Sequence, residues 1–447
     1  MDDIKKKKNR YALKKEVLIG TRMKEKLKAI RDYTVKQKKI AAAILLVVCG
    51  MMLAYYIVKV ATNPDFQWDL RIYHSAVKVF FEGGNYYDFD LLKEKGSQLP
   101  FGYSPYSIYF LLFLGVGSFQ KVAFLWLGLK VGILMVLFWI WKKIFYDYFD
   151  ERNSWVLFCL FLVWSLHAFN RTIYLDLRAG NISIIEEFLI WSGMLFLLYR
   201  GRYLLFGLCL LVASFFKFLP IVLIGFVLIV GTGKMKGKIK QLGIICLISL
   251  VVWGVGILIM PFEFREWSNF LRLIPFMSGE VGIINPAILP FIREIIGNSG
   301  KAYELILYFL WVLIVFFISY FVSKHILKRD FSSLKKKKYL FFLWCLVYPI
   351  IMPRFKDYTF IFLLPIFYYS LLEIVKKGKR RVLKFIAVFL LSFSFFVLGR
   401  GPKPIIVLDY WPLLITITSW IVFGVFIMEN SIRFAGRKIL RFTEISG

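Results

Sequence analysis

Chemistry built on thiols or imidazoles has little to draw on in this chain, which holds five cysteines and three histidines among 447 residues. Cys49, Cys159, Cys209, Cys246 and Cys345 all sit inside apolar runs. None is spaced as a metal pair, and none lies on a loop where a disulfide would form readily. His74, His167 and His325 are far apart in sequence. No His/Cys metal site is therefore expected, and no metal or cofactor is assigned. Acidic residues are also scarce, 28 against 59 Lys and Arg, for a net charge of +31. No soluble stretch is long enough to use that charge as a nucleic-acid-binding domain or to hold a nucleotide. A cleavable signal peptide is not read, because the basic head is too long and no small-residue cleavage site follows the first apolar run.

What the chain has is apolar length. Its composition is 59% hydrophobic and its mean hydropathy is +0.67. The apolar residues lie in runs of about the roughly 20 residues that span hydrocarbon. Tyr and Trp are abundant, 24 and 13, as suits rings that sit half wet at a membrane surface. The expectation is an all-α polytopic membrane protein, with anionic headgroups at the cytoplasmic face as partners for its positive charge.

Met1 to Lys39 is a basic head that is either an interfacial helix or a solvated tail. Expected spans run Ile40–Val60, Val122–Trp141, Ser154–Phe169 and Ile182–Tyr199. The stretch Tyr203–Gly231 is broken by Lys217 and Pro220 and reads as two short spans meeting near Lys217. Further spans are Leu242–Met260, Glu304–Val322, Tyr339–Ile351, Tyr358–Val375, Val382–Leu398 and Trp411–Met428. Residues 61–121 form a first outer loop, in which Pro105–Gly117 is a short re-entrant or interfacial piece. Residues 261–303 form a large outer loop, and residues 431–447 form a basic tail. This gives about twelve crossings within residues 40–430, with nearly every Lys/Arg cluster on one side. Both ends are then cytoplasmic, in a plasma membrane.

Outer-side charges are few and set among aromatics. The densest segment is NPDFQWDLRIYHSAVKVFFEGGNYYDFD. A helix after Asp69 places Asp69, Tyr73 and Val77 on one face, and Gly83 and Gly84 end it. Asp69 is either a helix cap or a partly desolvated general base. Asp176 and Arg178 are read as a structural pair, two residues apart.

The same segment resembles the opening of glycosyltransferase family 87, the polyprenyl-phosphate-sugar-dependent transferases of the GT-C fold. Further resemblances follow in order: FGYSPYSIYFLLF through Tyr103 and Pro105; RAGNISIIEEFLI through Gly180, Asn181 and Ser183; RGRYLLFGLCLLVASFFKFLPIVLI through Lys217 and Pro220; and MPRFKDYTFIFLLP through Pro353, Arg354, Asp357 and Tyr358. Ser104, Asn181 and Lys356 stand where the family has Pro, Gln and an aromatic. The resemblance implies a GT-C-type bundle whose extracytoplasmic loops carry the site. It implies a polyprenyl-phosphate sugar as donor and a lipid or glycan hydroxyl as acceptor. Asp69 matches the family's base. Arg71, Lys217, Arg354 and Lys356 are candidates to hold the donor phosphate, since fixed cations stabilise a developing phosphate charge. Lys217 has a second reading as a snorkelling lysine, and Arg354 and Lys356 as plain outer anchors. Trp68, Tyr73, His74, Tyr103, Asn181, Asp357 and Tyr358 are candidates to line the sugar or acceptor site, with aromatic packing as the other reading of Trp68, Tyr73 and His74.

Two further classes stay open. A transporter or flippase of lipid-linked sugars would show broken helices in matching halves, and one such break is read, at Lys217–Pro220. A polysaccharide polymerase or ligase would use a large outer loop rich in Arg and His. Residues 261–303 hold Arg265, Arg272 and Arg293 without a His.

Overall fold

A computed structural model describes residues 34–63, 65–149, 155–231, 233–277, 280–297, 300–395 and 406–445. Of the basic head expected over Met1 to Lys39, residues 1–33 lie outside the described residues. The described residues are helical, with no strand among them. Helix α1 is Thr34–Ala61. The short helices α2 (Trp68–Phe81), α3 (Phe89–Glu94) and α4 (Pro105–Leu111) follow, and α5 (Phe119–Trp141) continues as a π-helical turn to Tyr148. Next come α6 (Trp155–Ala179), α7 (Ser183–Arg200), α8 (Tyr203–Phe216), a 3-10 turn (Leu219–Gly225) and α9 (Phe226–Val230). The second half holds α10 (Met235–Ile259), α11 (Pro261–Met277), α12 (Ile288–Ile296), α13 (Lys301–Lys328) and α14 (Ser333–Ile351). A 3-10 turn (Asp357–Phe362) leads into α15 (Leu363–Lys377), followed by α16 (Arg381–Phe393), α17 (Ile406–Asp409) and α18 (Trp411–Ile445).

Seven described helices are long and apolar enough to cross a membrane: Thr34–Ala61, Phe119–Tyr148, Trp155–Ala179, Met235–Ile259, Lys301–Lys328, Asp357–Lys377 and Trp411–Glu429. The protein is thus an all-helical polytopic membrane protein. The other expected crossings are shorter or more charged. Helix α7 carries Glu186, Glu187 and Arg200, α14 opens on Lys335 to Lys338, and α16 has 13 residues. Helices α10 and α13 leave Leu250, Leu258, Phe309 and Phe317 exposed, as helices bathed in lipid do. Helices α7, α14 and α15 fill the interior, where Phe145 stacks on Phe342 and Tyr369 and Trp191 stacks on Phe362.

Two segments expected between the spans contain helices. Residues 261–303, read as a large outer loop, contain α11 and α12. Pro261 is the first residue of α11, where an N–H would have no intrahelical partner to lose. The loop expected after Phe169 is a continuation of α6 beyond a break. Phe169, Asn170 and Arg171 have φ of 50°, 57° and 62°, a left-handed turn that costs about 1–2 kcal/mol per residue. Phe169 offsets part of this by packing on Phe360, Phe367 and Trp411 at 5.3, 5.1 and 6.1 Å, each aromatic pair contributing about 0.5–1.5 kcal/mol. The break re-aims residues 172–179 toward α2.

The stretch Tyr203–Gly231 is interrupted where Lys217 and Pro220 foretell. Lys217 is extended (φ −137°, ψ 125°) and ends α8. The chain then folds back, so that a Cβ on Gly231 would lie 2.9 Å from the Tyr203 ring. The segment leaves beside the residue on which it entered, with Lys217 at its apex.

Candidate active site

The site starts from two turns in contact. Gln67, with φ 64°, precedes α2, and its N–H donates to the Arg178 carbonyl at 2.7 Å. Gly180, with φ +71°, follows α6, and a Cβ there would lie 2.9 Å from Leu70 Cβ and 3.2 Å from Gln67 Cα. Only glycine meets both demands, on φ and on space. The contact sets Asp69, the second residue of α2, against Asn181.

Asp69 does not cap its helix. Its Oδ2 accepts from Asn181 Nδ2 at 2.6 Å. Asn181 is oriented by Ser183, whose N–H and Oγ donate to Asn181 Oδ1 at 3.0 and 2.8 Å. With its carbonyl oxygen so occupied, the amide must turn its donors to the carboxylate. Ser183 Oγ in turn accepts from Lys217 Nζ at 2.6 Å. Lys217 also pairs with Glu186 Oε2 at 2.5 Å and lies 5.3 Å from the Tyr358 ring centre. Beside Asn181, the Tyr73 and Tyr103 hydroxyls share a 2.7 Å hydrogen bond, and Tyr103 OH is 3.5 Å from Asn181 Nδ2.

Helix α5 buttresses this arrangement from behind. Trp126 Nε1 donates to the Gly180 carbonyl at 2.8 Å. One turn on, Lys130 Nζ donates to the Asp176 carbonyl at 2.6 Å and lies 2.6 Å from Asp176 Oδ2. Both side chains of this ion pair are buried. The pairing of Asp176 with Arg178 expected from sequence is thereby corrected, since residues two apart on a helix point to different sides. The Arg178 guanidinium lies over the rings of Phe66 and Trp68, at 4.7 and 5.5 Å.

A second cluster gathers around Glu280. Arg354 Nη2 donates to its Oε2 at 2.6 Å and Lys356 Nζ to its Oε1 at 2.7 Å. Asn285 holds this loop to the 353–358 turn, with Oδ1 accepting from Phe355 N at 3.0 Å. The Asp357 carbonyl accepts from Thr172 Oγ1 at 2.7 Å, which ties the turn to α6 beyond its left-handed break. Asp357 Oδ1 accepts from the N–H of Tyr358 at 2.8 Å.

Burial pushes the Asp69 carboxyl above its ordinary value, and the Asn181 hydrogen bond and the charges of Lys356, Lys130 and Lys217 act against that rise. Burial likewise raises the Tyr73 and Tyr103 hydroxyls, so both stay protonated. Burial would raise Glu280 as well, but Lys356 and Arg354 outweigh it and hold the carboxyl below its ordinary value. Asp69 is thus a buried carboxylate in the field of cations from three separate parts of the chain, two of which, Lys130 and Lys217, also pair with the buried Asp176 and Glu186.

Of the residues singled out in the sequence, Asp69, Tyr73, Tyr103 and Asn181 meet directly. Lys217 joins them through Ser183, and Lys356 acts on Asp69 through its charge. Arg71 and His74 face elsewhere. They sit three apart on α2, and both lie against Phe119, at 4.2 and 5.6 Å; His74 Nε2 is 3.4 Å from the Gly117 carbonyl. Trp126, Lys130, Glu186 and Glu280 were not foreseen. Lys130 and Glu186 do carry a signal, an ionisable residue within an apolar run, whereas Glu280 carries none. Among the described residues, no three His, Cys, Asp or Glu side chains come together in a way that could hold a metal ion. The chain is thus a polytopic membrane protein with a buried carboxylate–cation cluster. Compared with protein-family models, curated proteins and solved structures, it matches none.

Proposed function

We propose that the protein is a GT-C-type glycosyltransferase of about twelve transmembrane helices. It moves a sugar from a polyprenyl phosphate to a hydroxyl of a lipid or glycan on the outer face of the plasma membrane. The observation that supports this most is the convergence of Asp69, Asn181, Lys217 and Lys356. They come from segments more than a hundred residues apart in places, each carrying a stretch that resembles family 87.

The chemistry follows from the groups. Asp69 takes the proton of the acceptor hydroxyl as its oxygen attacks the anomeric carbon. The bond from that carbon to the phosphate oxygen breaks in the same step, the electron pair leaves with the polyprenyl phosphate, and the configuration inverts. A carboxylate raised by burial is a stronger base than one in water. Lys217, Lys356 and Arg354 supply the fixed cations that a departing phosphate requires, and such stabilisation is worth more where water is excluded. Glu280 occupies Arg354 and Lys356 in the structure, so its carboxylate stands where the donor's phosphate oxygens would bind. Tyr73 and Tyr103, protonated and adjacent, offer hydroxyls to a sugar. Both termini are cytoplasmic in this reading.

The test is purified protein given polyprenyl-phosphate sugars in a panel of donors. Transfer by the wild type and its loss in Asp69→Asn are expected, and undiminished transfer by Asp69→Asn would sink the assignment. For orientation, a Cys replacing Lys356, in a chain whose exposed Cys246 is Ser, should react with impermeant thiol reagents from outside. Labelling from the cytosol alone reverses the topology.

A further inference from the structure

At the opposite end of the bundle lies a second feature, independent of the reading above. Helices α13 and α18 border a cleft of about 480 Å³, within the roughly 300–1,000 Å³ of small-molecule sites. Trp420 Nε1 donates to Ser319 Oγ at 3.0 Å and pins the two helices together at the inner end. Beyond that bond the walls are Phe317, Phe321, Ile421, Val425 and Met428. All five are exposed, on segments long and apolar enough to span a membrane. Gly424 forms the floor, where a Cβ would meet only Val322, at 3.8 Å. The absence of a side chain at 424 is what makes the surface concave.

The cleft is apolar along its length and charged at one end. From Trp420 to Glu429 it follows α18 for about 14 Å. At its mouth Arg380 Nε pairs with Glu429 Oε1 at 3.0 Å. Arg380 belongs to the exposed run Lys376, Lys377, Lys379, Arg380, Arg381. Glu429 engages the guanidinium through Nε, and a guanidinium carries five donors in all, enough to bind a phosphate beside the carboxylate. An apolar slot open to lipid, with Arg380 and its partner Glu429 at one end and the rest of a basic run beside it, matches a molecule with a hydrocarbon tail and an anionic head. We propose that the α13–α18 cleft holds one acyl chain of an anionic membrane phospholipid, with its phosphate at Arg380. This lipid is not the donor bound at Asp69. The 357–377 helix separates Asp357 from Lys377 by about 30 Å, so the two sites lie toward opposite faces.

The experiment is native mass spectrometry of the full chain released from vesicles of phosphatidylcholine, with and without phosphatidylglycerol. Wild type should retain one phosphatidylglycerol per chain in preference to phosphatidylcholine. Arg380→Gln should lower that retention about fivefold, the weight of one basic residue near an anionic surface. Gly424→Leu fills the floor and should lower it as well. If that variant fails to accumulate, Ile421→Trp blocks the cleft from its lipid-facing edge. Equal retention of the two lipids by wild type overturns the proposal. So does a loss confined to Arg380→Gln, with both cleft variants binding as wild type, since the headgroup would then be held with no chain in the cleft.

Discussion

Lys217 and Asp69, 148 positions apart in the sequence, are joined by three consecutive hydrogen bonds. Lys217 Nζ donates to Ser183 Oγ, Ser183 Oγ to Asn181 Oδ1, and Asn181 Nδ2 to Asp69 Oδ2. Every donor in the series points the same way, from the cation to the carboxylate, so each bond polarises the next. Asn181→Ala breaks the series in the middle. Under the proposed function, transfer should fall through kcat more than KM, about tenfold to a hundredfold for a lost charge-assisted hydrogen bond of roughly 1.5–3 kcal/mol. Ser183→Ala should give a smaller loss in the same assay.

On the proposed mechanism, the pH profile of transfer reports Asp69. The base must be ionised, and burial raises its pKa above the ordinary 3.8. The acid limb of kcat/KM should therefore lie above that of an ordinary carboxylate. The Asn181 bond stabilises the ionised form and lowers the pKa, so Asn181→Ala should move the limb to still higher pH. A limb that stays put when Asn181 is changed would assign it to another group.

Lys130 and Asp176 make a stability prediction that does not depend on catalysis. Breaking a buried pair strands the remaining charge and costs about 3–5 kcal/mol, whereas replacing both partners with apolar residues of similar size is often neutral. Lys130→Met should unfold well below wild type in detergent, and Lys130→Met with Asp176→Leu should recover much of the loss. The double variant removes both ends of the ion pair together and also gives up the bond from Lys130 to the Asp176 carbonyl, which keeps the N–H groups of Gly180 and Asn181. A double variant as unstable as the single one would show that this backbone bond is the larger contribution.

If the proposed donor binds at Arg354 and Lys356, Glu280 should behave as a competitor of its phosphate. With Glu280→Gln the two cations lose their internal anion, and an external one should bind more tightly. Donor KM should fall, with a steeper dependence on salt, since the interaction lies near solvent. The carboxyl's folded pKa is below its ordinary 4.5. Its contribution to stability is therefore present above the ordinary value and lost as pH falls through the folded one. Wild type should lose stability in that acid window, and Glu280→Gln should lose less.

Gly180→Ala tests the contact between the two turns. An alanine there would need a φ of +71° and would press on Leu70 and Gln67. A loss of about 1 kcal/mol or more is expected from φ alone, with activity falling further because Asn181 is the next residue. Melting temperature and transfer rate, measured together, separate the two effects.

The parts of the site that sequence revealed are those marked by breaks in apolar length. Gly83 sits just past the end of α2 with φ 73°, Lys217 and Pro220 interrupt their helix, and the 353–358 turn carries its own charges. Each departs from its surroundings over a few residues. The pairing of Lys130 with Asp176 is not legible in the sequence, because the contact spans 46 positions and depends on how α5 and α6 cross. The three left-handed residues at 169–171 carry no glycine to announce them. Their conformation is imposed by tertiary packing around Phe169, which local propensity does not express.

The apposition of Tyr203 and Gly231 bears on a matter of parity. A segment that departs beside its point of entry contributes an even number of passages through the bilayer, whether it reaches halfway or all the way across. The relative sidedness of the chain before Tyr203 and after Gly231 is then independent of its depth. Lengthening or shortening the segment's apex would move Lys217 relative to Ser183 and the membrane surface, yet leave every other helix facing the way it already does.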